Sequence, residues 1–165
     1  MELTLDQALH KGIEAHKAGK VQEADRYYTA ILKANPKHPD ANHNMAVLAV
    51  GVGKIHEALP FFKTALEVNP NIGQYWLSYI DALIRLDQIS DAKIALTRAK
   101  EQGIAGEDFK RLEMRLAKVE QSFDDRLWLI EGLKNCVKNE ADEVSSLKKR
   151  GYGACQSMNP SQLIW

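Results

Sequence analysis

The hydrophobic and polar positions of this chain recur at a displacement of 34 residues. When Ala24 to Pro36 (ADRYYTAILKANP) is set above Ala58 to Pro70 (ALPFFKTALEVNP), the two segments agree at both ends and in the middle. The same shift carries Gly19 to Gly53, Lys20 to Lys54, Glu23 to Glu57, Tyr27 and Tyr28 to Phe61 and Phe62, Leu32 to Leu66, and Asn35 to Asn69. A more worn third copy follows. Ala58 goes to Ala92, Phe62 to Leu96 and Ala65 to Ala99, while Val68-Asn69-Pro70 gives way to Gln102-Gly103-Ile104. A period of this length marks supersecondary units that bury their apolar faces only by stacking on neighbours. Three such units run from about Leu5 to Gly103.

The spacing and residue types resemble the tetratricopeptide repeat, in which a unit is two antiparallel helices joined by a tight turn. The resemblance implies an all-α fold: a right-handed superhelical solenoid of three helix-turn-helix repeats, over about 5–38, 39–72 and 73–104, followed by C-terminal capping helices. Gly19 and Gly53 fall where the first helix must stop and reverse, a place favouring the left-handed backbone that glycine adopts without steric cost. Ala24, Ala58 and Ala92 are small where the two helices of a unit approach most closely, and Tyr28 and Phe62 plug the gap to the next unit one turn later. Pro36 and Pro70 end the second helix, because proline lacks an amide donor and disfavours helix in the residue before it. Trp76 and Leu83 stand where the family has a large residue in the first helix, whereas Ala8, Lys11 and Asn42 depart from it. Pro39, Asp40 and Asn42-His43-Asn44 open the second unit, and Asn71-Ile72-Gly73 opens the third.

Beyond the repeats, Phe109, Leu112, Leu116 and Val119 recur at three and four residues, predicting a capping helix over 105–121 with its charges on other faces. Ser122 followed by Asp125 resembles a capping box that opens a further amphipathic helix over 122–150. Leu127, Ile130, Leu133, Val137, Ala141, Val144 and Leu147 form its apolar stripe. The stripe either folds back on the repeats or pairs with another copy of the chain, a homo-oligomer through the C-terminal helix. Residues 151–165 lack periodicity and are expected to be a loose tail, with Leu163-Ile164-Trp165 available as an anchor.

Charge narrows the partners. Lysine plus arginine and aspartate plus glutamate number 22 each, so no net field favours nucleic acid or an anionic membrane. The longest apolar stretch, Met45 to Val50, is far short of a membrane span, and the start lacks an export leader, which reads as a cytoplasmic protein. Cys136 and Cys155 match no metal or redox spacing, and Cys136, next to the apolar stripe, is expected to be a half-buried structural thiol. His10, His16, His38, His43 and His56 form no metal-binding pattern. Gly51-Val52-Gly53-Lys54 resembles a phosphate loop only superficially: Leu48 occupies the first glycine place and Ile55 the hydroxyl place. No nucleophile elbow or dinucleotide fingerprint is present. The sequence thus points to no catalysis, no cofactor and no metal.

The family resemblance implies that the first helix of each unit lines a concave wall. The inward places are Asp6, Leu9, Ile13, His16 and Lys17 in the first unit and Asp40, His43, Asn44, Val47 and Val50 in the second. The third contributes Gln74, Leu77, Asp81, Ile84 and Arg85. An apolar wall with polar edges suits an extended peptide or an amphipathic helix of a protein partner. The same aliphatic residues could instead pack against neighbouring helices. One subgroup of the family grips the C-terminal carboxylate of heat-shock chaperones with lysine, arginine and asparagine. Here only Asn44 matches, because Leu9, Ile13, Gln74 and Ser78 hold the other places, and a charge-assisted clamp cannot be made from them. The segments GIEAHKAGK, HPDANHNMAVLAVGVGK and YWLSYIDALI also resemble the N-terminal repeat block of bacterial proteins that carry a sulfo-, methyl- or glycosyltransferase domain, over about Leu5 to Leu116. No catalytic domain follows here, so the leading expectation is an interaction scaffold; the alternatives are a targeting portion of a transferase and a self-assembling structural protein.

Overall fold

The computed structural model describes residues 3–149, apart from the side chains of Phe123 and Asp124. Among the described residues the regular structure is seven α-helices: α1 (Leu5–Lys17), α2 (Val21–Ala34), α3 (Pro39–Gly51), α4 (Ile55–Val68), α5 (Gly73–Arg85), α6 (Ile89–Glu101) and α7 (Glu107–Lys149). The odd-numbered helices start at Leu5, Pro39, Gly73 and Glu107 and the even-numbered ones at Val21, Ile55 and Ile89, so every start obeys the 34-residue displacement. The beginning of α7 therefore takes the place of the first helix of a fourth repeat. The chain divides into two compact bodies, 1–119 and 120–165, and α7 runs across the division.

Local chemistry sets the helix ends. Thr4 opens α1 with a capping box: its Oγ1 accepts from the Gln7 amide (3.2 Å) while Gln7 Oε1 accepts from the Thr4 amide (3.1 Å). His38 opens α3, its Nδ1 accepting from the Ala41 amide, with Pro39 in the first helical turn. After α1 and α3 the chain reverses at Gly19 (φ 72°) and Gly53 (φ 82°), and the amides of Lys20 and Lys54 reach back to the Ala15 and Ala49 carbonyls at 2.9 Å. In the third repeat the equivalent place is Asp87, held at φ 55°. The worn end of that repeat is also explained: where α2 and α4 stop at Asn-Pro, α6 stops at Gly103 in the left-handed region (φ 73°).

Small residues let the helices of a pair close up, and large ones bridge successive pairs. Ala24, Ala58, Ala92, Tyr28 and Phe62 are buried, as their spacing predicts. Gly12, which the period aligns with Ala46 and Ile80, is equally required: a Cβ there would meet the Tyr28 ring at 2.6 Å. Asn42 departs from the family's large residue yet does the same work as Trp76, its equivalent one period on. Asn42 Nδ2 donates to the Pro36 carbonyl (2.9 Å), and Trp76 Nε1 donates to the Pro70 carbonyl (2.7 Å), so each ties its helix to the end of the preceding repeat. The largest core cluster joins α5 and α6 to Phe109, Leu112 and Leu116, which cover the end of the third pair.

Two expectations are corrected. The helix predicted to begin at Ser122 does not: α7 passes through that position unbroken. No proline or glycine ends the preceding turn, and Ser122 instead receives Arg126, whose Nε donates to the Ser122 carbonyl (3.1 Å) and whose second guanidinium nitrogen donates to Oγ (3.2 Å). Cys136, expected to be half-buried, is exposed. The tail at 151–165, with Cys155 and the Leu163-Ile164-Trp165 anchor, lies outside the described residues.

Candidate functional site

Helices α1, α3 and α5 lie side by side in order. Most of the residues expected on their shared wall keep some solvent exposure: Leu9, Ile13, His16, Asn44, Val47, Val50, Leu77 and Asp81 are half-buried, and Lys17, Gln74 and Arg85 are exposed, as are Asp6 and Asp40. Two are not available. His43 (8% exposed) and Ile84 (7%) are buried, because their side chains turn into the seams between helices rather than outward. Leu9, Val47 and Leu77 also lean on the core clusters beneath them, so the wall's aliphatic residues are partly structural.

His43, Ser78, Asp40 and Asp81 of the wall make bonds that cross from one repeat to the next. The His43 ring stacks on Tyr75 (centroids 4.7 Å apart, 26° between planes), and its Nε2 lies 3.0 Å from Ser78 Oγ, which also accepts from Gln74 Nε2 at 3.3 Å. The Tyr75 hydroxyl donates to the Asp40 carboxylate. Burial pushes His43 below its ordinary value of 6.5, partly opposed by the Asp40 charge, so the ring is neutral at pH 7. Burial, and after it the bond to Asp40 and the Asp40 charge, raises the Tyr75 phenol. Farther along, Asp81 accepts from Arg85 Nε (2.7 Å) and from Arg115 of α7 (2.6 Å).

Gln74, Ser78 and Asp81 of α5 and Arg115 of α7 line a cleft of about 400 Å³, together with Leu77 of α5 and Asp108, Arg111 and Leu112 of α7. A wider cleft of about 1070 Å³ lies away from this wall, along α2 and the start of α1, with Leu3, Leu5, Val21 and Tyr27 in its lining. Size does not decide between them. The smaller cleft carries polar groups held in place by partners on other helices, which is what orients a bound chain. Sequence reasoning missed Tyr75, Arg111 and Arg115. The displacement of 34 that joins Asp81 to Arg115 was the available signal, and it is visible only if α7 is counted as a fourth repeat's opening helix. Among the described residues no group of three or more His, Cys, Asp and Glu is placed to hold a metal ion, and no helix is long and apolar enough to cross a membrane.

Comparison with known proteins bears on the fold. The family model for the tetratricopeptide repeat matches residues 39–72, the α3–α4 pair. A soybean (Glycine max) protein, Hsp70-Hsp90 organizing protein 1, is 33% identical over 69 residues, which is 42% of this chain and 12% of that protein's length. Among solved structures, the TPR2B domain of yeast Sti1 in its pHsp70 complex superposes with a TM-score of 0.64 at 19% identity, covering 69% of this chain and 96% of that one. The first such domain of Spaghetti (RPAP3), bound to the HSP90 peptide SRMEEVD, gives 0.63 at 22% identity over 73% and 95%. An O-GlcNAc transferase from Thermobaculum terrenum gives 0.55 at 21% identity, covering 62% of this chain and 20% of that one. Identities this low carry the fold alone. Residues 39–72 match the tetratricopeptide-repeat family model, and the architecture shared with these solved structures shows the tetratricopeptide-repeat solenoid fold.

Proposed function

We propose that the wall formed by α1, α3 and α5, closed at one end by the first turns of α7, binds a segment of another polypeptide and performs no chemistry on it. The observation that carries this reading is the α5–α7 cleft, where Asp81, held between Arg85 and Arg115, and the Gln74–Ser78–His43 chain stand beside the aliphatic side chains of Leu77 and Leu112. Donors and acceptors already fixed by neighbouring helices lose little freedom when a ligand arrives. The aliphatic surface between them supplies contact area, so an extended peptide or one face of an amphipathic helix fits best. The likeness to chaperone-binding modules supports a role in protein interaction, but the site differs from a carboxylate clamp. Leu9, Ile13, Gln74 and Ser78 hold the clamp places, and Arg115 is already paired with Asp81.

The test is affinity capture with wild-type protein and with Val47→Glu and Leu77→Glu, each checked for unchanged helical content. A partner lost by both variants supports the wall; a partner retained by both moves the site to the opposite face. In parallel, the acidic peptide SRMEEVD is expected to show no saturable binding below about 1 mM, and micromolar binding would overturn the exclusion of a clamp.

A further inference from the structure

The strongest feature outside the wall is the exposed stripe of α7. Of the sixteen large hydrophobic side chains exposed among the described residues, eight lie between Leu127 and Leu147. A patch that dense on a soluble chain marks an interaction surface. Its spacing says what covers it. Ile130, Val137 and Val144 recur every seven residues, with Leu133 and Leu147 three places after the first and the last of them. A strict seven-residue period follows a supercoiled seam rather than the surface of a straight helix. β-branched residues at the first core place (a) and leucine at the second (d) select a parallel two-stranded coiled coil.

We propose that Leu127–Leu147 of α7 pairs in parallel with the same segment of a second copy of this chain as a two-stranded coiled coil. Charge supports the parallel sense. Glu143 and Lys148 occupy flanking places (g and e) that meet across a parallel seam, giving two opposite-charge pairs per dimer. An antiparallel pair opposes g to g and e to e, and makes neither. Glu140 takes the middle d place, where the two copies bring like charges together; this weakens the dimer and offers a test. Trp128 falls at the outer f place and is not part of the seam. Three heptads are about the shortest seam that holds, so association in the micromolar range is expected.

Sedimentation equilibrium of the full chain, from about 1 to 500 μM, should show the mass rising from 18.5 kDa to twice that value. Val137→Glu should weaken pairing more than about tenfold, and Glu140→Leu should tighten it by about as much. Glu143→Lys should weaken it roughly two- to tenfold, and the double exchange Glu143→Lys with Lys148→Glu should restore it. A mass fixed at 18.5 kDa, which would leave the stripe to a helix of a different protein, overturns the proposal. So does a mass of three or four copies, a Val137→Glu protein that pairs like wild type, or a double exchange that fails to restore pairing. Val47→Glu and Leu77→Glu should leave the dimer intact, so failure here and failure of the wall are separable.

Discussion

Replacing Asn42 by aspartate changes one donor group into an acceptor with almost no change in shape, at a side chain only 3% exposed. Asn42 Nδ2 donates to the carbonyls of Pro36 and His38, both at 2.9 Å. The His38 carbonyl also receives the Asn42 backbone amide at 3.0 Å, so the main loss falls on Pro36, the end of the preceding repeat. A lost hydrogen bond accounts for about 0.5–1.5 kcal/mol, and an acceptor facing two carbonyl oxygens in a buried place adds a desolvation cost, which together come to about 2–3 kcal/mol at pH 8. The introduced carboxylate has its folded pKa raised by burial and by those carbonyls. The native state then binds a proton more readily than the unfolded chain, and the deficit shrinks as pH falls from that raised value towards the ordinary value near 4. Urea unfolding followed by far-ultraviolet circular dichroism, on wild type and variant at pH 8 and at pH 5, measures both effects. Because coupling in a repeat array is between neighbours, hydrogen exchange should accelerate first in α1 and α2. A deficit under about 0.5 kcal/mol at pH 8, the range of an ordinary surface change, would refute the view that Asn42 ties the first two repeats together.

Three further outcomes follow from the seams and turns. Asp87→Gly should raise stability by about 0.5–1 kcal/mol in thermal unfolding, since the left-handed conformation at φ 55° suits glycine; a loss would show that the Asp87 side chain holds the turn. Tyr28→Phe removes a buried hydroxyl without a hydrogen-bond partner, at the place where the second repeat has Phe62, and should be neutral or stabilising by up to about 2 kcal/mol; destabilisation by more than 1 kcal/mol contradicts this. His43 is depressed below its ordinary 6.5 in the folded chain, so the unfolded state takes up the proton first and stability should fall as pH drops below about 6.5. His43→Asn should flatten that slope in denaturant titrations at successive pH values, and an unchanged slope would assign it to other groups.

The period in the sequence carried most of the fold. The glycine turns, the alanine contacts and the two proline stops each have one backbone solution, so a displacement of 34 located the helix starts across the repeats. The departures were harder to interpret. Asn42 looked like a weak repeat position because side-chain size was the criterion, whereas the requirement is a donor aimed at the preceding proline's carbonyl. The stop at Ser122 was misjudged for a related reason: a capping residue acts only where the preceding turn ends, and nothing there ends it. Family positions gave the helices of the expected wall, but the His43 and Ile84 side chains are buried in the seams, and contacts such as Tyr75 with Asp40 depend on a neighbouring repeat that no local pattern describes.

Hydrogen-exchange mass spectrometry of the chain with and without its captured partner segment tests the proposed binding wall most directly. Protection confined to α1, α3, α5 and the first turns of α7, strongest at Gln74 to Arg85, is the expected result. Protection on α2, α4 and α6 with those helices unchanged would contradict the account.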